Sequence, residues 1–125
     1  MNQIKSNNYS IYFNKDGYQK LKSLISKVNY SNIFILVDEN TKENCLSKFI
    51  SYVDVSFNLI QISSGEKNKN LNTCSYVWKF LNKNKADRDS LLINLGGGVI
   101  TDMGGFIASC YKRGIDFINI PTTLL

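Results

Sequence analysis

Four six-residue segments dominated by apolar side chains set the terms for this chain: Asn32–Val37, Phe57–Ile62, Ser90–Leu95 and Ile115–Ile120. Each is too short for a buried helix. Between them, apolar residues recur every three or four positions, as on one face of a helix. Tyr18, Leu21, Leu24, Ile25 and Val28 form such a stripe over residues 16 to 29. Leu46, Phe49, Ile50 and Val53 form a second, and Leu71, Cys74, Val77, Trp78 and Leu81 a third. Residues 99 to 111 make a fourth from small and apolar side chains. Residues 9 to 13 read as an additional short strand at the start. Strands alternating with helices of this length predict an α/β fold with a parallel sheet and right-handed crossovers. The unbroken run at 32–37 predicts a strand covered on both faces. Thr41, after Asp38-Glu39-Asn40, is the expected N-cap of the second helix. A chain of 125 residues is one domain, 1–125.

Composition narrows the function. No run of about 18 apolar residues is present, and no apolar stretch follows the first lysine, so neither a membrane span nor a secretory signal is expected. Cys45, Cys74 and Cys110 are scattered, which argues against a disulfide framework or a zinc knot and predicts three reduced core thiols in a cytoplasmic protein. The net charge is +5, but the lysines alternate with Asn and Ser and lack the interleaved aromatics of a nucleic-acid face. A solvated surface with a modest preference for small anions fits better, with no nucleic acid and no membrane as partner. The chain has no histidine, so a step that needs a histidine base or metal ligand cannot be completed by these residues.

Open parallel sheets bind ligands beyond the carboxyl ends of their strands, which directs attention to the loops after Val37, Ile62, Leu95 and Ile120. Five of the eight glycines fall between Gly96 and Gly105. Gly96-Gly97-Gly98 at a strand end lets the backbone turn sharply and approach a ligand closely, and the helix behind it aims free N–H groups at the same space. That arrangement suits a phosphate or diphosphate. It is neither a Walker A loop nor a GxGxxG turn. Gly104 and Gly105 inside the helix imply close approach to a ligand or tight packing on a strand. Asp102, near the first turn, either favours the helix dipole or accepts from a ribose or substrate hydroxyl. Asp38 and Asn40 are ribose acceptors or helix caps. Glu66 and Lys69, in Ser64–Lys69, are an acceptor and a phosphate partner, or a solvated loop. Arg113 is a dipole partner or a fork for a phosphoryl group.

The run GGGVITDMGGFIASCYKRGIDFINIPTTLL, Gly96 to Leu125, resembles the nucleotide-binding core of the 3-dehydroquinate synthases, members of the sugar phosphate cyclases. Asp38-Glu39-Asn40 and Gly65-Glu66-Lys67-Asn68-Lys69 resemble that family's upstream motifs in order and spacing. The resemblance implies a Rossmann-like α/β domain that binds NAD, followed in the family by a helical C-terminal domain that holds a divalent metal, zinc or cobalt. It implies a sugar phosphate substrate, 3-deoxy-D-arabino-heptulosonate 7-phosphate, oxidised transiently by NAD so that inorganic phosphate can be eliminated before an aldol step closes the carbocycle. By the same resemblance, Asp38 and Asn40 contact the adenosine part of NAD, Glu66 and Lys69 its ribose and phosphate, Gly97, Gly98, Val99 and Asp102 the diphosphate region, and Thr122 and Thr123 the cofactor again. Arg113 aligns with an arginine that reaches across a homodimer interface to the substrate's phosphate.

Two positions depart from the family pattern. Thr101 stands where glycine is usual, with room either to crowd the diphosphate or to donate to it, and Ser64 stands where aspartate is frequent. The family's metal-binding glutamate and histidines lie beyond the last residue of this sequence, so the expectation is an N-terminal part that holds no catalytic residue, carries no metal and is inactive alone, with self-association favoured by apolar residues near Leu125. An NAD-dependent glycerol or polyol dehydrogenase, another sugar phosphate cyclase and a non-enzymatic nucleotide module are the alternatives.

Overall fold

The computed structural model describes residues 3–5, 10–12 and 14–122, with side-chain environments from residue 17 onward. Strands β1 (Gln3–Lys5) and β2 (Ser10–Tyr12) pair antiparallel in a sheet of their own. Helix α1 (Asn14–Val28) leads into β3 (Ile33–Asp38), the short helices α2 (Glu39–Asn44) and α3 (Leu46–Tyr52), and β4 (Asn58–Ile62). A 3-10 turn (Glu66–Asn68) precedes α4 (Leu71–Lys83) and β5 (Leu91–Gly96). Helix α5 (Gly98–Cys110), a second 3-10 turn (Tyr111–Arg113) and β6 (Asp116–Pro121) complete the order. Residues 9 and 13 of the anticipated first strand, and Thr123, lie outside the described residues.

The main sheet is parallel throughout, in the order β4-β3-β5-β6. Alternation along β3 sorts the core into two layers. Phe34 and Leu36 pack with Cys74, Val77 and Leu81 of α4 and with Ile100, Met103 and Ile107 of α5. Ile33, Ile35 and Val37 pack with Tyr18 and Leu21 of α1 and with Leu46 and Phe49 of α3. Phe34, Ile35, Leu36, Leu92 and Ile93 are wholly buried, each contributing roughly 1.5–3 kcal/mol by leaving water.

Several expectations need correction. The second helix is two helices, because Cys45 leaves the helical region (φ −126) between them. Its N-cap is Asp38, not Thr41. The Asp38 carboxylate accepts from the amides of Asn40 and Thr41, both at 2.9 Å, while the Thr41 hydroxyl accepts from the Asp38 amide at 3.1 Å. This reciprocal arrangement is a capping box. Leu71 is 69% exposed and not part of the third helix's buried face. Only Cys74 is a core thiol; Cys45 is half-buried and Cys110 exposed.

The cap can be tested alone. Asp38→Ala is expected to cost about 1 kcal/mol in urea denaturation, and Asp38→Asn much less, since asparagine caps as well as aspartate. Equal losses in both variants would mean that charge, not capping, is the contribution.

Candidate nucleotide site at the switch point

The chain leaves β3 towards β4 on one side and leaves β5 towards β6 on the other. The two connections diverge, so a crevice opens between the carboxyl ends of β3 and β5, where such sheets accept ligands. Asp38 closes β3 on one side of it, and Gly96 closes β5 on the other.

The three glycines there do different things. A side chain on Gly96 would strike Ile100, with its Cβ 2.7 Å away, so this glycine lets α5 pack onto the end of its own strand. A Cβ on Gly97 or Gly98 would meet nothing within 4 Å. None of the three has a left-handed backbone, so the bend needs no special φ; the glycines serve close packing and open space. Gly97 is the N-cap of α5 and offers no side chain to it. The amides of the helix's first turn therefore face the crevice without a side-chain acceptor among the described residues. Thr101 does not donate outward: its hydroxyl turns back to the carbonyls of Gly97 and Gly98, at 3.3 and 3.2 Å.

The loop after β4 arrives from the other side. Gly65 adopts φ +105, a conformation other residues rarely take, and turns the chain into the 3-10 segment that carries Glu66. Lys69 Nζ donates to Asp102 Oδ2 at 3.1 Å and stands 3.7 Å from Glu66 Oε1. These contacts, with Asp102 first, hold the Lys69 ammonium above its ordinary range. Asp102 sits past the first turn of α5, so its partner is Lys69 and not the helix dipole. Glu39, which the sequence reading passed over, accepts from the Ser64 amide through both oxygens, at 2.8 and 3.1 Å. The Ser64 hydroxyl and amide hold its carboxyl below the usual range.

The structure thus brings Glu66, Lys69, Asp102 and the glycine bend together at one edge, with Asp38 and the exposed Asn40 across the crevice. Val99 is half-buried in the first turn of α5. Thr122, half-buried, follows Pro121, which is in register with Gly96. Arg113 is not brought to this edge. It lies beyond the far end of α5, roughly 20 Å of helix away at 1.5 Å per residue. There Lys112 and Arg113 both adopt positive φ before Gly114. The same far edge holds a polar hollow of about 590 Å³ lined by Tyr30, Arg88 and Asp116, in which the Tyr30 hydroxyl donates to Asp116 at 2.8 Å.

Gly104 is settled in favour of packing. Its missing Cβ leaves room for Asn94, a polar residue wholly buried in β5, whose amide nitrogen donates to Asn119 Oδ1 at 3.0 Å. The lone asparagine inside the apolar run at 90–95 was the available sequence signal for this contact.

Residues 59–125 match the 3-dehydroquinate synthase N-terminal family. The chain belongs to the 3-dehydroquinate synthase family. It is 44% identical over 115 residues to the 3-dehydroquinate synthase of Parabacteroides distasonis, covering 89% of this chain and 32% of that protein. It is 41% identical over 124 residues to that of Campylobacter jejuni, covering 98% of this chain and 33% of that protein. The chain therefore spans about a third of the length of these curated relatives. Among solved structures, a 2-deoxy-scyllo-inosose synthase complexed with carbaglucose-6-phosphate, NAD+ and Co2+ shares the fold with a TM-score of 0.80 at 20% identity, over 96% of this chain and 34% of that one. The 2-epi-5-epi-valiolone synthase of Streptomyces hygroscopicus, with NAD+ and Zn2+ bound, gives 0.64 at 28% identity over 75% of this chain and 28% of that one. The α/β architecture with a parallel sheet is as expected for the 3-dehydroquinate synthase family.

Proposed function

We propose that this chain is the NAD-binding part of a 3-dehydroquinate synthase, and that the complete enzyme is a lyase that converts 3-deoxy-D-arabino-heptulosonate 7-phosphate to 3-dehydroquinate with loss of inorganic phosphate. The observation that carries the reading is the uncapped start of α5 at the divergence of β3 and β5, with open space above Gly97 and Gly98. A dinucleotide's diphosphate fits there: the Gly98 and Val99 amides donate to its oxygens, and the helix dipole favours its charge. Glu66 and the Asp38 oxygen not used in the cap accept from ribose hydroxyls. Asn40 borders the adenosine end, Lys69 neutralises a phosphate oxygen, and Asp102 holds Lys69 in place. Thr122 adds a hydroxyl just past the end of β6, and Thr123 is assigned to the cofactor by the family resemblance alone. NAD supplies reversible hydride transfer at a ring hydroxyl of the substrate; the work of this chain is to bind and orient it.

The curated relatives support the synthase over a dehydrogenase. Those from P. distasonis, C. jejuni, Bacillus mycoides and Alkaliphilus oremlandii carry that name at 37 to 44% identity. A probable glycerol dehydrogenase and a butanol dehydrogenase share the fold at only 15 and 14%. A divalent metal does not fit here. Among the described residues no three His, Cys, Asp or Glu side chains converge on a point, and no catalytic step is assigned to this chain. Arg113, exposed and remote from its own crevice, serves the sugar phosphate of a partner subunit in a homodimer. No helix among the described residues is long and apolar enough to cross a membrane, and the cytoplasm is the proposed compartment.

Calorimetry tests the reading. One NAD is expected to bind per chain, and absence of binding refutes it. In the complete protein, phosphate release is expected to require NAD. There, Arg113→Ala should raise KM for the sugar phosphate with the NAD affinity unchanged; a loss confined to NAD would remove Arg113 from the substrate.

A further inference from the structure

We propose that Glu39 is a positioning residue, whose carboxylate ties the loop after β4 to the end of β3 and so sets where Glu66 and Lys69 stand against the glycine bend. The inference rests on the nucleotide reading above and adds a residue which that reading does not need. Glu39 and Ser64 are 25 residues apart, just past the ends of β3 and β4, adjacent parallel strands in which Asp38 is in register with Ile62. Glu39 is itself fixed, as the first residue of α2 inside the capping box formed by Asp38 and Thr41.

The loop passes the constraint on. The Ser64 carbonyl accepts from the Asn68 side-chain amide at 2.7 Å. The Asn68 and Lys69 amides donate to the carbonyls of Gly65 and Glu66, each at 3.0 Å. Residues 64 to 69 are therefore tied into one hydrogen-bonded unit, and its far end is Lys69, which reaches Asp102 on α5. A contact at Ser64 thus acts on the crevice through Lys69, while Glu39 touches no ligand. The neutral serine at 64 belongs to the same arrangement, because a carboxylate there would face that of Glu39 at close range.

Four variants of the chain test this, read by amide hydrogen exchange across residues 64–69 and by calorimetric titration with NAD. Glu39→Ala is expected to speed exchange at Asn68 and Lys69 and to weaken NAD about 10-fold, the scale of one lost charge-assisted hydrogen bond. Glu39→Gln, which keeps an acceptor, should lose less on both readouts. Ser64→Asp should lose as much as Glu39→Ala, and combining it with Glu39→Gln should restore most of that loss, a rescue that general destabilisation would not produce. Unchanged exchange in Glu39→Ala would remove the tether. Faster exchange with unchanged NAD affinity would remove the positioning role alone. Normal exchange in an unmodified chain that binds no NAD would overturn the nucleotide reading, and the positioning role with it.

Discussion

Gly98→Val is expected to weaken NAD binding by at least about 100-fold while leaving the thermal midpoint of unfolding nearly unchanged. The two halves of this expectation come from the same observation. A Cβ at position 98 meets no protein atom within 4 Å, and the backbone there is not left-handed, so valine enters the folded chain without a clash. As the first residue of α5, it carries only a small propensity difference. The branched side chain instead fills the space in front of the first-turn amides. A diphosphate excluded from that position loses its charge-assisted hydrogen bonds, each worth about 1.5–3 kcal/mol; two of them exceed the roughly 2.7 kcal/mol that 100-fold represents. Calorimetry with NAD and thermal melting, run on the same preparations, read the two quantities. Unchanged affinity would show that the glycine bend does not receive the cofactor.

The bend could be found from the sequence because its information is local. Three glycines after an apolar run mark a strand end that a helix follows, and Leu91–Gly96 and Gly98–Cys110 meet there. The same holds for residues 33 to 37, which have no polar face to offer solvent and so had to be covered on both sides. What could not be read locally was which groups meet. Lys69 and Asp102 are 33 residues apart, and nothing in either segment names the other; only the strand order puts the loop after β4 beside the start of α5. That the cap is Asp38 rather than Thr41 was not legible for a subtler reason. Asp38, Asn40 and Thr41 are all good N-caps, and the choice among them depends on where β3 stops pairing with β4, at Asp38 against Ile62. Arg113 shows the opposite limit: its motif was legible, but its distance from the crevice follows from the length of α5, which directs it away from its own site.

The helix that presents the amides is itself positioned by a glycine, and Gly104→Ala is expected to destabilise the fold by about 3 kcal/mol. Propensity alone predicts the opposite sign, since alanine in a helix interior gains up to about 1 kcal/mol over glycine. The contact overrides it. An added Cβ would collide with Asn94 Oδ1 and Cγ. Asn94 cannot swing away, because it is wholly buried in β5 and its amide nitrogen is held by Asn119. Either α5 lifts from the sheet or Asn94 abandons its hydrogen bond inside the core; overpacking of this kind typically costs 1–3 kcal/mol, more when a buried polar group is stranded. Urea denaturation measures the loss. The double variant Asn94→Ala with Gly104→Ala should be less destabilised than the sum of the single variants by at least about 1 kcal/mol, since alanine ends at Cβ and withdraws the atoms that collide. If Gly104→Ala were as stable as the unmodified chain, α5 would stand further from β5 than described. The aim of its first-turn amides at the crevice would then be wrong as well, so a stability measurement on a residue remote from the bend also bears on the cofactor assignment.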